Sequence, residues 1–172
     1  MKLRTTLLMI FAALSVAACT NPNRFGGGEA GSDPFANGAN GAIAGSASDP
    51  SSPAYFQQAI GDRVFFAVNQ STISPEGRAT LDGQATWLLQ NAEYTAVVEG
   101  HADEQGTREY NLALGARRAD AARAYLVSQG VPAGRLQVVS YGKERPVETC
   151  SQEACYAQNR RAVTVLAGGL SG

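Results

Sequence analysis

The sequence predicts an α+β domain, a two-layer sandwich whose four-stranded mixed sheet carries its long helices on one face. Three observations predict it. Short β-branched runs alternate with two long amphipathic stretches, caps and stops punctuate those stretches, and the resulting order reads βαβα-β(α)β. A sheet of that order buries one face most simply under the helices that connect its strands.

Each element has its own signal. Arg63 to Val68 (RVFFAV) reads as a buried strand. Ser74 supplies an N-cap and Pro75 the first helical position, which opens EGRATLDGQATWLLQ as far as Gln90. Leu81, Trp87 and Leu88 fall at helical spacing within it and are core candidates. Tyr94 to Glu99 (YTAVVE) is a second strand. A helix is predicted from Thr107 to Gln129, stopped by Gly130 and then Pro132. Arg135 to Tyr141 (RLQVVSY) and Ala162 to Leu166 (AVTVL) supply the last two strands, with a short helix across Gln152 to Gln158.

The N-terminal part has a different character. Lys2 and Arg4 precede an apolar run, Leu7 to Leu14, and small residues then lead to Cys19. This is the pattern of a secretory signal over residues 1–18, and its apolar run is too short to span a bilayer. Val16-Ala17-Ala18-Cys19 resembles a bacterial lipobox, which implies that Cys19 becomes the acylated N-terminus. Thr20 after it, by the same resemblance, directs the protein to the periplasmic face of the outer membrane. From Thr20 to Pro53 the chain is mostly Gly, Ala, Ser, Asn and Pro, with Phe25, Phe35 and Ile43 as its only bulky apolar residues. Such a segment buries too little to offset chain entropy and is expected to be a linker. It can reach about 30–35 Å as a coil. The plan is therefore signal 1–18, lipidated end and linker 19–53, domain 54–168 and tail 169–172.

Charge and cysteines narrow the function. The domain holds twelve acidic and eleven basic residues. That balance argues against nucleic acid or an anionic membrane face as partner. Cys150 and Cys155 are a pair in an exported, oxidising setting, and a disulfide between them is favoured. A metal would need two further ligands, and the one histidine, His101, lies some 50 residues away. Neither a metal nor a cofactor is expected.

The densest polar stretch is GHADEQGTREYNLALGARRA, residues 100 to 119. With Leu112 as the reference at about 100° per residue, Ala116, Ala119, Ala122 and Leu126 fall in a band of roughly 120° that faces the sheet. Asn111 and Arg118 sit together at the edge of that band, while Arg117 points to solvent. Asp103 lies in the loop before the helix. An acid and an arginine converging at a sheet mouth suit a zwitterion, the acid for an ammonium group and the arginine's planar fork for a carboxylate. An edge salt bridge for Arg118 fits the spacing equally well. On this placement Asp103→Ala and Arg118→Ala are both expected to leave the fold intact.

GHADEQGTREYNLALGARRADAARAYL, followed by VVSYGKERP and NRRAVTV, resembles the OmpA-like peptidoglycan-binding domains over residues 63 to 167. Among these it is most similar to the lipid-anchored members of the Tol–Pal system. The resemblance implies non-covalent binding of peptidoglycan through the meso-diaminopimelate of its stem peptide. Asp103 would take the ammonium group and Arg118 the carboxylate. Asn111 and Leu114 would line the same pocket, with Arg160 and the loop from Phe66 to Asn69 as secondary contributors. Asn69 stands where relatives often carry an aspartate. TolB and other Tol proteins are implied as partners, in constriction of the envelope at cell division.

Two other readings are weaker. A wall-modifying enzyme would draw on Asp103, Glu104 or His101, but adjacent carboxylates in a loop usually point apart, and a nucleophile elbow is missing. His101 is instead expected to satisfy hydrogen bonds at a strand end. A flagellar stator or a porin tail would call for a transmembrane helix or a β-barrel ahead of the domain, where the sequence offers a lipid anchor.

Overall fold

The computed structural model describes residues 45–168. The signal, Cys19, most of the expected linker and the tail 169–172 lie outside the described residues. Four strands form one mixed sheet in the order β1-β4-β2-β3: β1 (Arg63–Phe65), β2 (Thr95–His101), β3 (Leu136–Gly142) and β4 (Arg161–Ala167). β2 and β3 run parallel, and β4 is antiparallel to both β1 and β2. Two long helices, α2 (Pro75–Gln90) and α3 (Arg108–Ser128), cover one face, and a shorter helix, α4 (Glu153–Asn159), leads into β4. This is the sandwich that the sequence predicts.

The N-cap expected at Ser74 is a real hydrogen bond, and Thr107, expected as the first residue of its helix, is a cap as well. Ser74 accepts from the Gly77 amide at the start of α2, and Thr107 accepts from the Tyr110 amide at the start of α3. Each satisfies an amide that a helix end would otherwise leave bare. Strand residues that alternate inward, including Val64, Ala96, Val98, Leu136 and Ala162, meet Leu81, Ala85, Leu88, Ala119, Ala122 and Leu126 in the core. α3 rests closely on β2. A Cβ on Gly100 would fall 1.8 Å from the Gly115 carbonyl oxygen, so only glycine permits this approach.

Three details depart from expectation. β1 ends at Phe65, because the chain then turns at Asn69, whose φ of 57° lies in the left-handed region. Leu112 is 49% exposed, and the buried band of α3 runs instead through Asn111, Leu114, Gly115, Arg118, Ala119, Ala122 and Leu126. Leu112 therefore lies on the solvent side of α3, and the face toward the sheet is turned toward Asn111 and Arg118. Finally, the chain is folded before Ala54. Ser52 is buried and caps a short helix, α1 (Pro53–Tyr55), which continues as a π-type turn over Phe56–Gly61. The Trp87 indole donates to the Pro50 carbonyl at 2.7 Å and packs on Phe56 with ring centres 5.0 Å apart. Among the described residues, no helix is long and apolar enough to cross a membrane.

Candidate functional site

The strand registers bring the end of β1, the end of β2 and the start of β4 to one end of the sheet. Phe65 pairs with Arg161, and Gly100 pairs with Ala162. Phe66, Asp103 and Arg160 therefore meet there, beside the first half of α3. The Phe66 amide donates to the Arg160 carbonyl at 2.9 Å, and Arg160 Nε returns a bond to the Phe66 carbonyl at 3.1 Å.

Arg160 is the arginine that holds Asp103. Its Nη1 donates to Asp103 Oδ2 at 3.1 Å, and its Nη2 donates to Glu153 Oε1. Both Arg160 and Asp103 are buried. Arg160 takes Oδ2 and leaves the other carboxylate oxygen, Oδ1, unused by it. Close by on α3, Asn111 is fully buried; its Nδ2 donates to the Gln105 carbonyl at 2.8 Å, and its Oδ1 has no protein donor. Leu114 is buried on the same face of the helix. The site thus offers acceptors toward a cationic group.

Arg118 is not at the edge of the helix. It is fully buried and donates to three backbone carbonyls: Nε to Gln70 at 2.8 Å, Nη1 to His101 at 2.8 Å and Nη2 to Ala67 at 3.1 Å. Its guanidinium also lies 5.3 Å from the centre of the Phe66 ring. Burial lowers its pKa to about 10, against which the nearby Asp103 carboxylate acts to raise it. The side chain organises the loop from Ala67 to Gln70, residues that are themselves exposed. Asn69 in that loop accepts from the Tyr110 hydroxyl at 3.3 Å. Arg117, as expected, points to solvent.

Glu153 is the site residue that the sequence reading missed. It lies seven residues before Arg160, two helical turns, so α4 sets both on one side; that spacing was the available signal. Two grooves lie away from this cluster. One of about 230 Å³ is lined by Arg108, Leu112, Ser140, Tyr141 and Glu144, and one of about 320 Å³ borders β1 at Arg63, Phe65 and Glu76.

His101 does not satisfy hydrogen bonds as expected. It is 2% exposed, neither ring nitrogen makes a hydrogen bond among the described residues although Glu99 Oε2 lies 3.5 Å from Nε2, and it stacks on Tyr141, which in turn lies under Arg145. Burial, reinforced by the charges of Arg161 and Arg145, lowers its pKa from 6.5 to about 4. A histidine held neutral in the fold but free to protonate when unfolded contributes stability that is complete above about pH 6.5 and is lost as the pH falls toward 4. Urea midpoints at pH 7 and pH 4.5 should show the wild type losing about 1–2 kcal/mol more on acidification than His101→Gln. Equal losses would contradict this burial.

Cys150 and Cys155 are bridged, with Cα atoms 5.8 Å apart. Among the described residues, no cluster of His, Cys, Asp and Glu is suited to hold a metal ion.

The family model for the OmpA family matches residues 65–160, which contain every member of this cluster. The peptidoglycan-associated lipoprotein of Mesorhizobium japonicum is 50% identical over 165 residues, 94% of this chain and 91% of its own. The chain belongs to the peptidoglycan-associated lipoproteins of the OmpA family. Another member, from Rhizobium meliloti, is 56% identical over 122 residues, 71% of this chain and 69% of its own. The crystal structure of the Burkholderia pseudomallei peptidoglycan-associated lipoprotein superposes with a TM-score of 0.63 at 37% identity, covering 70% of this chain and 98% of that one. The C-terminal domain of Helicobacter pylori MotB shares the fold at 19% identity, with a TM-score of 0.59 over 63% of this chain and 86% of that one.

Proposed function

We propose that this protein binds peptidoglycan non-covalently through the meso-diaminopimelate of the stem peptide. Acylated at Cys19, it would tie the periplasmic face of the outer membrane to the wall, without enzymatic turnover. The observation that carries this reading is the meeting of the Asp103 carboxylate, whose Oδ1 Arg160 does not use, and the unpaired Asn111 Oδ1 with the buried cation of Arg118 at one end of the sheet. Diaminopimelate ends in a free ammonium and a free carboxylate, so a site of that polarity fits it. Three of the five N–H groups of Arg118 are used on carbonyls, which leaves two for a carboxylate. The loop from Ala67 to Gln70 must shift to uncover them. The names of the relatives support the same partner, and TolB and other Tol proteins follow from the family resemblance as partners at cell division.

Co-sedimentation of the purified protein with sacculi tests this, with free meso-diaminopimelate as competitor. Retention that diaminopimelate reverses is expected. Retention indifferent to it would remove the assignment of this ligand, and release of muropeptides by pure protein would favour the enzyme. For the anchor, Cys19→Ser is expected to move the protein from the membrane fraction to the soluble one. An unchanged membrane pellet would remove the lipid tether.

A further inference from the structure

We infer that the Cys150–Cys155 disulfide and Glu153 together position the acid side of this site: the closed loop holds Glu153 on Arg160, and Arg160, shared between two carboxylates, leaves Asp103 free to hold a ligand's ammonium group. This rests on the reading of Asp103 given above and adds to it a residue and a covalent tie.

The charge balance carries the first step. Asp103 and Arg160 alone sum to zero, and a carboxylate neutralised by its own guanidinium attracts an ammonium weakly. Glu153 bonds the same guanidinium through Nη2, while Asp103 takes Nη1. The three groups then carry a net charge of −1, which matches one ammonium.

The second step concerns what keeps Glu153 in place. Its side chain is 65% exposed, and exposed ion pairs are weakened by water and by the rotamer freedom they must give up. It sits on the first residue of α4, a helix of only seven residues whose N-cap, Gln152, makes no side-chain capping bond. Helices that short do not hold themselves. The far end is tied by Asn159, which accepts from the Val147 and Glu148 amides and donates to the Glu148 carbonyl. The near end is tied by the disulfide, which joins Cys150 before the helix to Cys155 within it. The bridge therefore replaces a cap at the turn that presents Glu153.

Reduction by a dithiol would add two electrons and two protons to the bridge, giving two thiols while the reductant becomes its own disulfide. The start of α4 would then lose its tie. Binding of the full mature chain to sacculi is measured for the oxidised wild type, the dithiol-reduced wild type, Cys150→Ser/Cys155→Ser, and Glu153→Gln in both redox states, with circular dichroism on each. Reduction, the double serine variant and Glu153→Gln should each weaken binding roughly three- to tenfold with the fold retained. Reduction should add nothing further in Glu153→Gln. A stem-peptide fragment with its diaminopimelate amine acetylated should bind wild type and Glu153→Gln alike, which a merely structural role of Glu153 would not produce. Equal binding by oxidised and reduced wild type overturns the inference, as does a full reduction effect persisting in Glu153→Gln. Absence of any binding by the oxidised wild type overturns the peptidoglycan reading itself and this inference with it.

Discussion

Arg118→Ala is expected to lower the stability of the domain by about 3–5 kcal/mol, the range for truncating a large, fully buried side chain together with carbonyl acceptors left without their donor. The side chain is fully buried, and its three donors hold the Ala67, Gln70 and His101 carbonyls. Alanine leaves a cavity under Phe66 and takes the guanidinium donor from each carbonyl, of which Ala67 keeps the Gln70 amide at 3.1 Å, and a buried acceptor without a donor costs on the order of 1–3 kcal/mol. Water can reach the exposed loop and rescue part of this, which keeps the loss within the range given. The measurement is the urea midpoint at constant slope. Arg118→Lys should fall between wild type and alanine, since one ammonium cannot serve carbonyls arranged around a planar fork. A midpoint unchanged in Arg118→Ala would mean that the loop from Ala67 to Gln70 is held by something else. The sequence-based expectation that this variant leaves the fold intact does not survive the burial of the side chain. Loss of wall binding by Arg118→Ala therefore cannot by itself identify a ligand contact.

The same contrast shows what the sequence can and cannot carry. Local chemistry was legible: Ser74-Pro75 and Thr107 mark helix starts by hydrogen bonds made within one turn, and the alternation of β2 follows from which face is buried. Ser52-Pro53 is the same cap signal as Ser74-Pro75, but it was overshadowed by the glycine- and serine-rich composition around it. The partner of a charged residue was not legible. Helical spacing placed Arg118 within about one residue of the correct face, yet whether it meets solvent depends on the loop after β1, 48 residues away in sequence. The pairing of Asp103 with Arg160 spans 57 residues and comes from strand register alone. Motif order named Asp103, Asn111, Arg118 and Arg160 as a group without saying which meets which. Only the fold assigns Arg160 to the acid and Arg118 to the carbonyls.

The second large effect separates a ligand-binding acid from a structural one. Asp103→Asn is expected to cost about 2–5 kcal/mol of binding to sacculi, a loss of roughly thirtyfold or more, while the urea midpoint falls by about 1 kcal/mol. Asparagine keeps the shape and one acceptor oxygen but removes the charge that an ammonium group needs. Arg160 is not left bare by the change, because Glu153 and the Phe66 carbonyl still bond it. That redundancy is why the fold should tolerate the substitution, in contrast to Arg118, which is fully buried and serves three carbonyls at once, of which Ala67 keeps the Gln70 amide as a second donor. If Asp103 served only to hold Arg160, the order of effects would reverse: stability would fall measurably and wall binding would follow only as far as the folded fraction did. Measuring both quantities on the same preparation decides between the two, since a charge held for a ligand contributes to affinity through Oδ1, the oxygen that Arg160 does not use.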